Sequence, residues 1–194
     1  MLIADALEFL RGRLNAAMPR DAAGASAEDL FVYAGASGEE AVTFPANAVS
    51  LILVRIEEDL THRRPDQYLQ VTPDGVRKRS EPDIRLNMFV LVVARFPEDY
   101  RLSLHHLSRV VGYFQNHRVF NRENSPELHE RIPQLMMELV TLSFAEQNEI
   151  WSALRVSYQP SALYRVRMVV FSDQEARPVA ETKELIQTVV PLSR

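Results

Sequence analysis

One stretch restricts the fold of this chain more than any other, the run Ile84-Arg-Leu-Asn-Met-Phe-Val-Leu-Val-Val-Ala-Arg-Phe96. Its even positions, Ile84, Leu86, Met88, Val90, Val92, Ala94 and Phe96, are all apolar, whereas the odd ones are apolar only at Phe89, Leu91 and Val93. Side chains alternate faces along a strand, so one face is buried throughout and the other only in the middle. The pattern predicts a central strand covered on both sides. At about 3.3 Å per residue the run would reach roughly 43 Å, long for a small domain, so it is expected to bend or to extend past its own sheet.

A chain of 194 residues is large enough to bury a core without staples and fits one domain. Its 22 basic and 26 acidic side chains leave a net charge of −4, so no general attraction to nucleic acid or anionic lipid is expected. The absence of cysteine removes disulfides, thiolate metal sites and cysteine nucleophiles, and suits a protein made in the cytoplasm. No apolar stretch approaches the roughly 20 residues that span a bilayer, and Asp5 and Glu8 stand where a signal peptide would be basic, so the chain reads as soluble and without a cleaved signal.

Around the central run, Ile3, Ala6, Leu7, Leu10, Leu14 and Ala17 recur at helical spacing before Pro19, which predicts an amphipathic first helix. A loop at 20–28 leads to a short strand at Leu30–Tyr33, a turn at Gly35–Gly38 and a further strand at Val42–Phe44. Val49–Ile56 is almost wholly aliphatic and predicts a second interior strand, ended by Glu57-Glu-Asp59. Tyr68–Val71, Pro73-Asp-Gly75 and Val76–Arg77 read as a hairpin, because proline presets one turn angle and glycine supplies a positive φ. Basic triplets, His62–Arg64 and Arg77–Arg79, flank it; they suit either a solvated strand edge or an arm whose cations meet an acidic neighbour.

After the central run, Pro97, Glu98 and Asp99 suit a first helical turn, and Tyr100, Leu104, Leu107, Val111 and Phe114 form one expected buried stripe. Gln115–Pro126 has no period and reads as a loop. Gln134–Leu142 is ambiguous in itself, but Ser143-Phe-Ala-Glu146 is a capping box that starts a helix there, so the residues before it are assigned to a strand. That helix, Phe144–Leu154, carries the lone Trp151. Tyr164–Phe171 is a further strand, with Arg165 and Arg167 on one face, a stripe about 7 Å long suited to a partner's carboxylates or to solvent. Leu185–Val190 has strand composition in a tail, from about 178 to 194, that closes the sheet or pairs with another subunit. Helices and strands without βαβ alternation give an α+β fold, a mixed, mostly antiparallel β-sheet with flanking helices.

Reactive groups are few. His105 and His106 are adjacent on a helix and point about 100° apart, so they do not form a metal pair, and His117 and His129 are isolated. Gly35–Gly38 lacks the lysine and helix start of a phosphate loop. Asp99 and Glu98 are explained by a helix start, and Ser108 and Ser161 have no base at a recognisable spacing. No catalytic residue, metal ligand or cofactor site is assigned, and no enzyme activity is expected.

Five ordered blocks carry a resemblance: Leu86–Tyr100; Leu107-Ser-Arg-Val-Val-Gly-Tyr-Phe-Gln115; Val119-Phe120 with Asn124-Ser-Pro126; Glu138-Leu-Val-Thr-Leu-Ser143; and Trp151 with Tyr158-Gln-Pro-Ser-Ala-Leu-Tyr-Arg-Val-Arg-Met168. In order and spacing they resemble the cap, or tail-terminator, family of phage-tail-like contractile injection systems. The likeness is close over 82–171 and looser before it, and it departs after the tryptophan, where Ser152, Arg155, Val156 and Ser157 stand in place of expected glycines.

The resemblance implies a tail-terminator-like fold and a homo-hexameric ring. Such a ring sits on the baseplate-distal end of tube and sheath and stops their polymerisation. Its partners are then further copies of the chain and the tube and sheath proteins, with no nucleic acid and no membrane, in an assembled phage-tail-like particle. Some members carry a further C-terminal domain, which a chain ending at Arg194 is expected to lack. Ring closure repeats one heterologous contact and needs two complementary patches on each copy. The candidate interface residues are Arg63, Arg64, Tyr68, Arg77, Lys78, Arg79, Arg165, Arg167, Leu185, Ile186, Val189 and Val190, with Glu57–Asp59 as an acidic counterpart. The competing classes are an adaptor anchoring a particle to a membrane or cell wall, and a hydrolytic enzyme.

Overall fold

A computed structural model of the chain describes residues 2–19, 29–36, 42–60, 69–71, 77–79, 84–171 and 177–178. It divides into two compact units, one of residues 1–60 with 84–171 and one of residues 61–83 with 172–194. The sequence reading takes 1–194 as one domain.

The first unit is built on a six-stranded sheet. In spatial order its strands are β1 (Phe31–Tyr33), β4 (Ala48–Glu58), β7 (Ile84–Arg95), β10 (Ser161–Phe171), β9 (Gln134–Val140) and β8 (Val119–Asn121). All neighbours are antiparallel except β1 and β4. The central run of the sequence is β7, held between β4 and β10, and Met88, Val90, Leu91, Val92, Val93 and Ala94 are all buried. The strands on either side of it are irregular. The register slips between Leu53 and Arg55 of β4 and between Val169 and Phe171 of β10, and such bulges bend a strand and increase its twist.

The two faces of this sheet carry different cores. Under α1 (Leu2–Ala17) and α2 (Tyr100–Asn116) lie Met88, Val90, Val92, Tyr164, Val166, Leu135 and Met137. Phe120 is 1 % exposed at the centre, its ring edge-on to both Phe9, 5.3 Å away, and Phe114, 6.5 Å away. On the other face α3 (Phe144–Leu154) brings Trp151 against Phe44, Leu91, Val93 and Leu163. This second core spans only one end of the face, which is why the odd positions of β7 are apolar only from Phe89 to Val93.

Four local expectations are corrected. The buried line of α2 is Ser103, His106, Val110 and Phe114, whereas Tyr100, Leu104 and Val111 are exposed. Two polar residues displace the apolar ones because β7's end gives them partners. The Ser103 hydroxyl accepts from the Phe96 N–H at 3.2 Å, and the His106 ring stacks on Phe96 at 4.8 Å. Pro97 is not the first helical residue. Asp99 is the N-cap, its carboxylate accepting from the Leu102 N–H at 3.0 Å, so Pro97 and Glu98 form the preceding turn. The expected loop 115–126 contains β8, a strand too short to show a period. Gly35–Ala36 is not turn but β2, paired with β3 (Val42–Thr43).

The capping box at the start of α3 is present in full, with Glu146 accepting from the Ser143 N–H at 2.8 Å. At the other end of α3, Arg155 occupies the left-handed region at φ 56°, the position that favours glycine. The turn is therefore made without the glycine expected there.

The second unit contains a three-stranded antiparallel sheet, β11 (Arg177–Pro178), β6 (Arg77–Arg79) and β5 (Leu69–Val71). The expected hairpin is β5–β6, and the basic triplet Arg77–Arg79 is itself the second strand. The hairpin's turn residues, Pro73 to Gly75, lie outside the described residues.

Candidate interface surfaces

Strand alternation places Arg165 and Arg167 of β10, Glu138 of β9 and Asn87 of β7 on the same face as α3, but beyond its reach. Glu138 is directly opposite Arg165 in the ladder. Its carboxylate accepts from Arg165 Nε at 2.7 Å and from Arg167 Nη1 at 3.2 Å. Arg167 also approaches Asp59 at 3.8 Å. The two arginines expected to meet a partner's carboxylates or solvent thus have carboxylates from their own chain, and each stays about a third exposed. Two acids of the run 57–59 are engaged as well, Glu57 with Arg55 and Asp59 with Arg167. Sequence reading missed Glu138, although one acid inside an apolar strand opposite an Arg-x-Arg strand is a usable signal.

The other candidate interface residues fall on the second unit. Arg77, Lys78 and Arg79 form β6, where Arg177 pairs with Arg79 and Pro178 with Lys78 in the ladder. That pairing brings the start of the C-terminal segment and the hairpin into one sheet, a link between residues 98 positions apart that no local pattern announces. Arg63, Arg64, Tyr68, Leu185, Ile186, Val189 and Val190 lie outside the described residues.

A polar cluster closes α1 onto β1. Glu8 accepts from Arg11 at 2.5 Å and from the Tyr33 hydroxyl at 2.9 Å, and Arg11 reaches Asp29 at 2.6 Å. The Arg11 hydrogen bond, helped by Tyr33, holds the Glu8 carboxyl below its ordinary range. Burial, then the neighbouring Glu8, pushes the Tyr33 hydroxyl up to about 12.

Exposed apolar side chains on α2, β9 and α3 include Leu104, Val111, Leu139 and Phe144. Two open clefts of about 410 and 300 Å³ share Val111 and Leu139. The larger runs between α2 and β9 and the smaller reaches Trp151 and Ile150 of α3. Leu139 is 55 % exposed beside them, and Phe144, at the start of α3, is 92 % exposed. Among the described residues no group of three or more histidine or acidic side chains is arranged to hold a metal ion. None of their helices is long and apolar enough to cross a membrane.

The first unit is a mixed sheet with helices on both faces, and the arginines of β10 are engaged by carboxylates of the same chain. The chain belongs to the Pvc16 N-terminal domain family, whose model matches residues 5–182. Its fold is similar to the sheath/tube terminator, in the extended state, of the extracellular contractile injection system PVC, with a TM-score of 0.58 and 18 % identity over 100 % of this chain. It is also similar to the tube-terminating cap of the anti-feeding prophage, with a TM-score of 0.53 and 18 % identity over 98 % of this chain. The chain covers 66 % and 63 % of those two proteins, somewhat less than two thirds of their length. No curated protein shows significant similarity to it.

Proposed function

We propose that this chain is a structural terminator, a cap that binds the baseplate-distal end of the tube and sheath of a contractile injection system and stops their growth as a homo-hexameric ring. The observation that carries this reading is the family match over 5–182 together with a fold shared over the whole chain with two terminator caps. The surfaces are compatible with it. Arg165, Arg167, Glu138 and Asp59 hold each other in place, so their role is to stiffen the sheet and present a fixed charge pattern, with no reacting group released for catalysis. The basic strand Arg77–Arg79, with Arg63, Arg64 and Tyr68 before it, and the segment Leu185–Val190 supply contacts between copies. The particle is the site of action, and neither a cofactor nor a nucleic acid takes part.

Negative-stain imaging of the purified protein, alone and mixed with isolated tubes, tests the proposal. Rings in the first sample and capped tube ends in the second are the expected result. A monodisperse monomer at micromolar concentration that leaves tube ends bare would overturn it.

A further inference from the structure

The edge of the large sheet at β9 is open where it is most apolar. The Met137 N–H donates to the Arg118 carbonyl at 2.8 Å, so Met137 turns its backbone groups away from β10, toward β8. In an antiparallel strand the groups of residue i + 2 face the same way, which aims the Leu139 N–H and carbonyl at that side too. There β8 has ended, since its pairing with β9 covers only Gln134–Met136, and no described strand follows it. The edge is not blunted. It has no bulge and no proline, and its one charge, Glu138, is held by Arg165 and Arg167. The opposite edge of the sheet, β4 beyond Leu51, differs: it carries a register slip at Leu53/Arg55 and the charges Arg55, Glu57 and Glu58, the usual devices against strand addition.

The two clefts meet at this open edge, where they share Val111 and Leu139; from there the larger runs to Arg118, Met136 and Tyr164, and the smaller to Ile150 and Trp151 of α3. A strand added at Leu139 would lie where the two clefts meet, with apolar walls to receive its side chains. The sequence contains a segment of that form. Leu185-Ile-Gln-Thr-Val-Val190 is uncharged, alternates Ile186, Thr188 and Val190 with Leu185, Gln187 and Val189 in sequence, and precedes Pro191, a pattern suited to an added strand. It lies in the sixteen residues that follow Pro178, which at about 3.3 Å each extend up to roughly 50 Å.

We infer that the open edge of β9 receives residues 185–190 of a second copy of this chain as an added strand. The inference rests on the ring reading above. A ring closed by one heterologous contact needs two different complementary surfaces on each copy, and an open edge and an extended strand are such a pair.

The absence of native cysteine makes the test clean. Full-length Leu139→Cys and Val189→Cys chains, one bearing a size tag, are co-expressed, oxidised and resolved on a non-reducing gel, with light scattering on the same samples. The expected product is the mixed 139–189 disulfide between chains, at least about tenfold over 139–139 pairs. Adding Thr188→Pro to the donor is expected to lower it at least about fivefold. Dominant 139–139 pairs, or a disulfide that forms only within a doubly substituted chain, would overturn the inference. An oligomer without the mixed disulfide overturns this contact and leaves the ring standing; a monomer without it overturns both.

Discussion

Glu138 of β9 lies directly across from Arg165 of β10, and its single carboxylate holds both Arg165 and Arg167. A charge-assisted pair of this kind joins two strands that no turn connects, and it leaves one carboxylate responsible for two cations. Glu138→Ala is therefore expected to lower stability by about 1 kcal/mol at moderate salt, a value already reduced for the groups' partial exposure, and by less in 1 M salt. Urea unfolding at the two salt concentrations measures it; an effect independent of salt would assign the loss to packing.

Arg155 holds a left-handed backbone at φ 56°, with its side chain exposed. A side-chain-bearing residue there is strained by roughly 1 kcal/mol, which glycine avoids at some entropy in the unfolded chain. Arg155→Gly should raise the unfolding midpoint by the equivalent of about 0.5 kcal/mol, and Arg155→Val should lower it. Thermal unfolding followed by far-UV circular dichroism distinguishes the two.

Phe120 fills the space between Phe9 and Phe114 and is almost wholly buried. Truncation removes its transfer free energy and leaves a cavity, so Phe120→Ala is expected to cost about 3–4 kcal/mol. Phe144→Ser, at an exposed aromatic, should change stability by less than about 0.5 kcal/mol. Denaturant titration of both variants provides the comparison.

The Glu8 carboxyl is lowered by Arg11 and Tyr33 in the folded chain. A depressed carboxyl contributes stability that is complete above its ordinary pKa of 4.5 and is lost as pH falls through the folded value. Tyr33, raised from 10.0 to about 12, contributes stability that is complete below pH 10 and is lost as pH rises through about 12. Unfolding midpoints at pH 7 and pH 3 should differ less in Glu8→Gln than in the natural sequence. Tyr33→Phe should flatten the alkaline limb.

Ser143→Ala removes one half of the capping box of α3, and about 1 kcal/mol is the expected loss. Because α3 carries Trp151, the change is also read as an earlier shift in tryptophan fluorescence during urea unfolding.

The sequence alone determined the elements whose signals are local and whose burial is complete. The central strand within 84–96, the interior strand at 49–56, which the ladder carries on through Glu58, and the helix start at Ser143 follow from alternation, aliphatic composition and a capping box, all of which act within a few residues. The five ordered blocks carried the family. Tertiary structure decided what depends on a partner far away in the chain. Polar Ser103 and His106 turn inward on α2 only because Phe96 is there to receive them. Val119–Asn121 becomes a strand only because β9 lies beside it, and the cations of β10 find Glu138 only across a ladder. Local sequence states what a residue prefers, while a buried polar group or a short strand is stable only when its partner's position is fixed, and that position is a property of the whole fold.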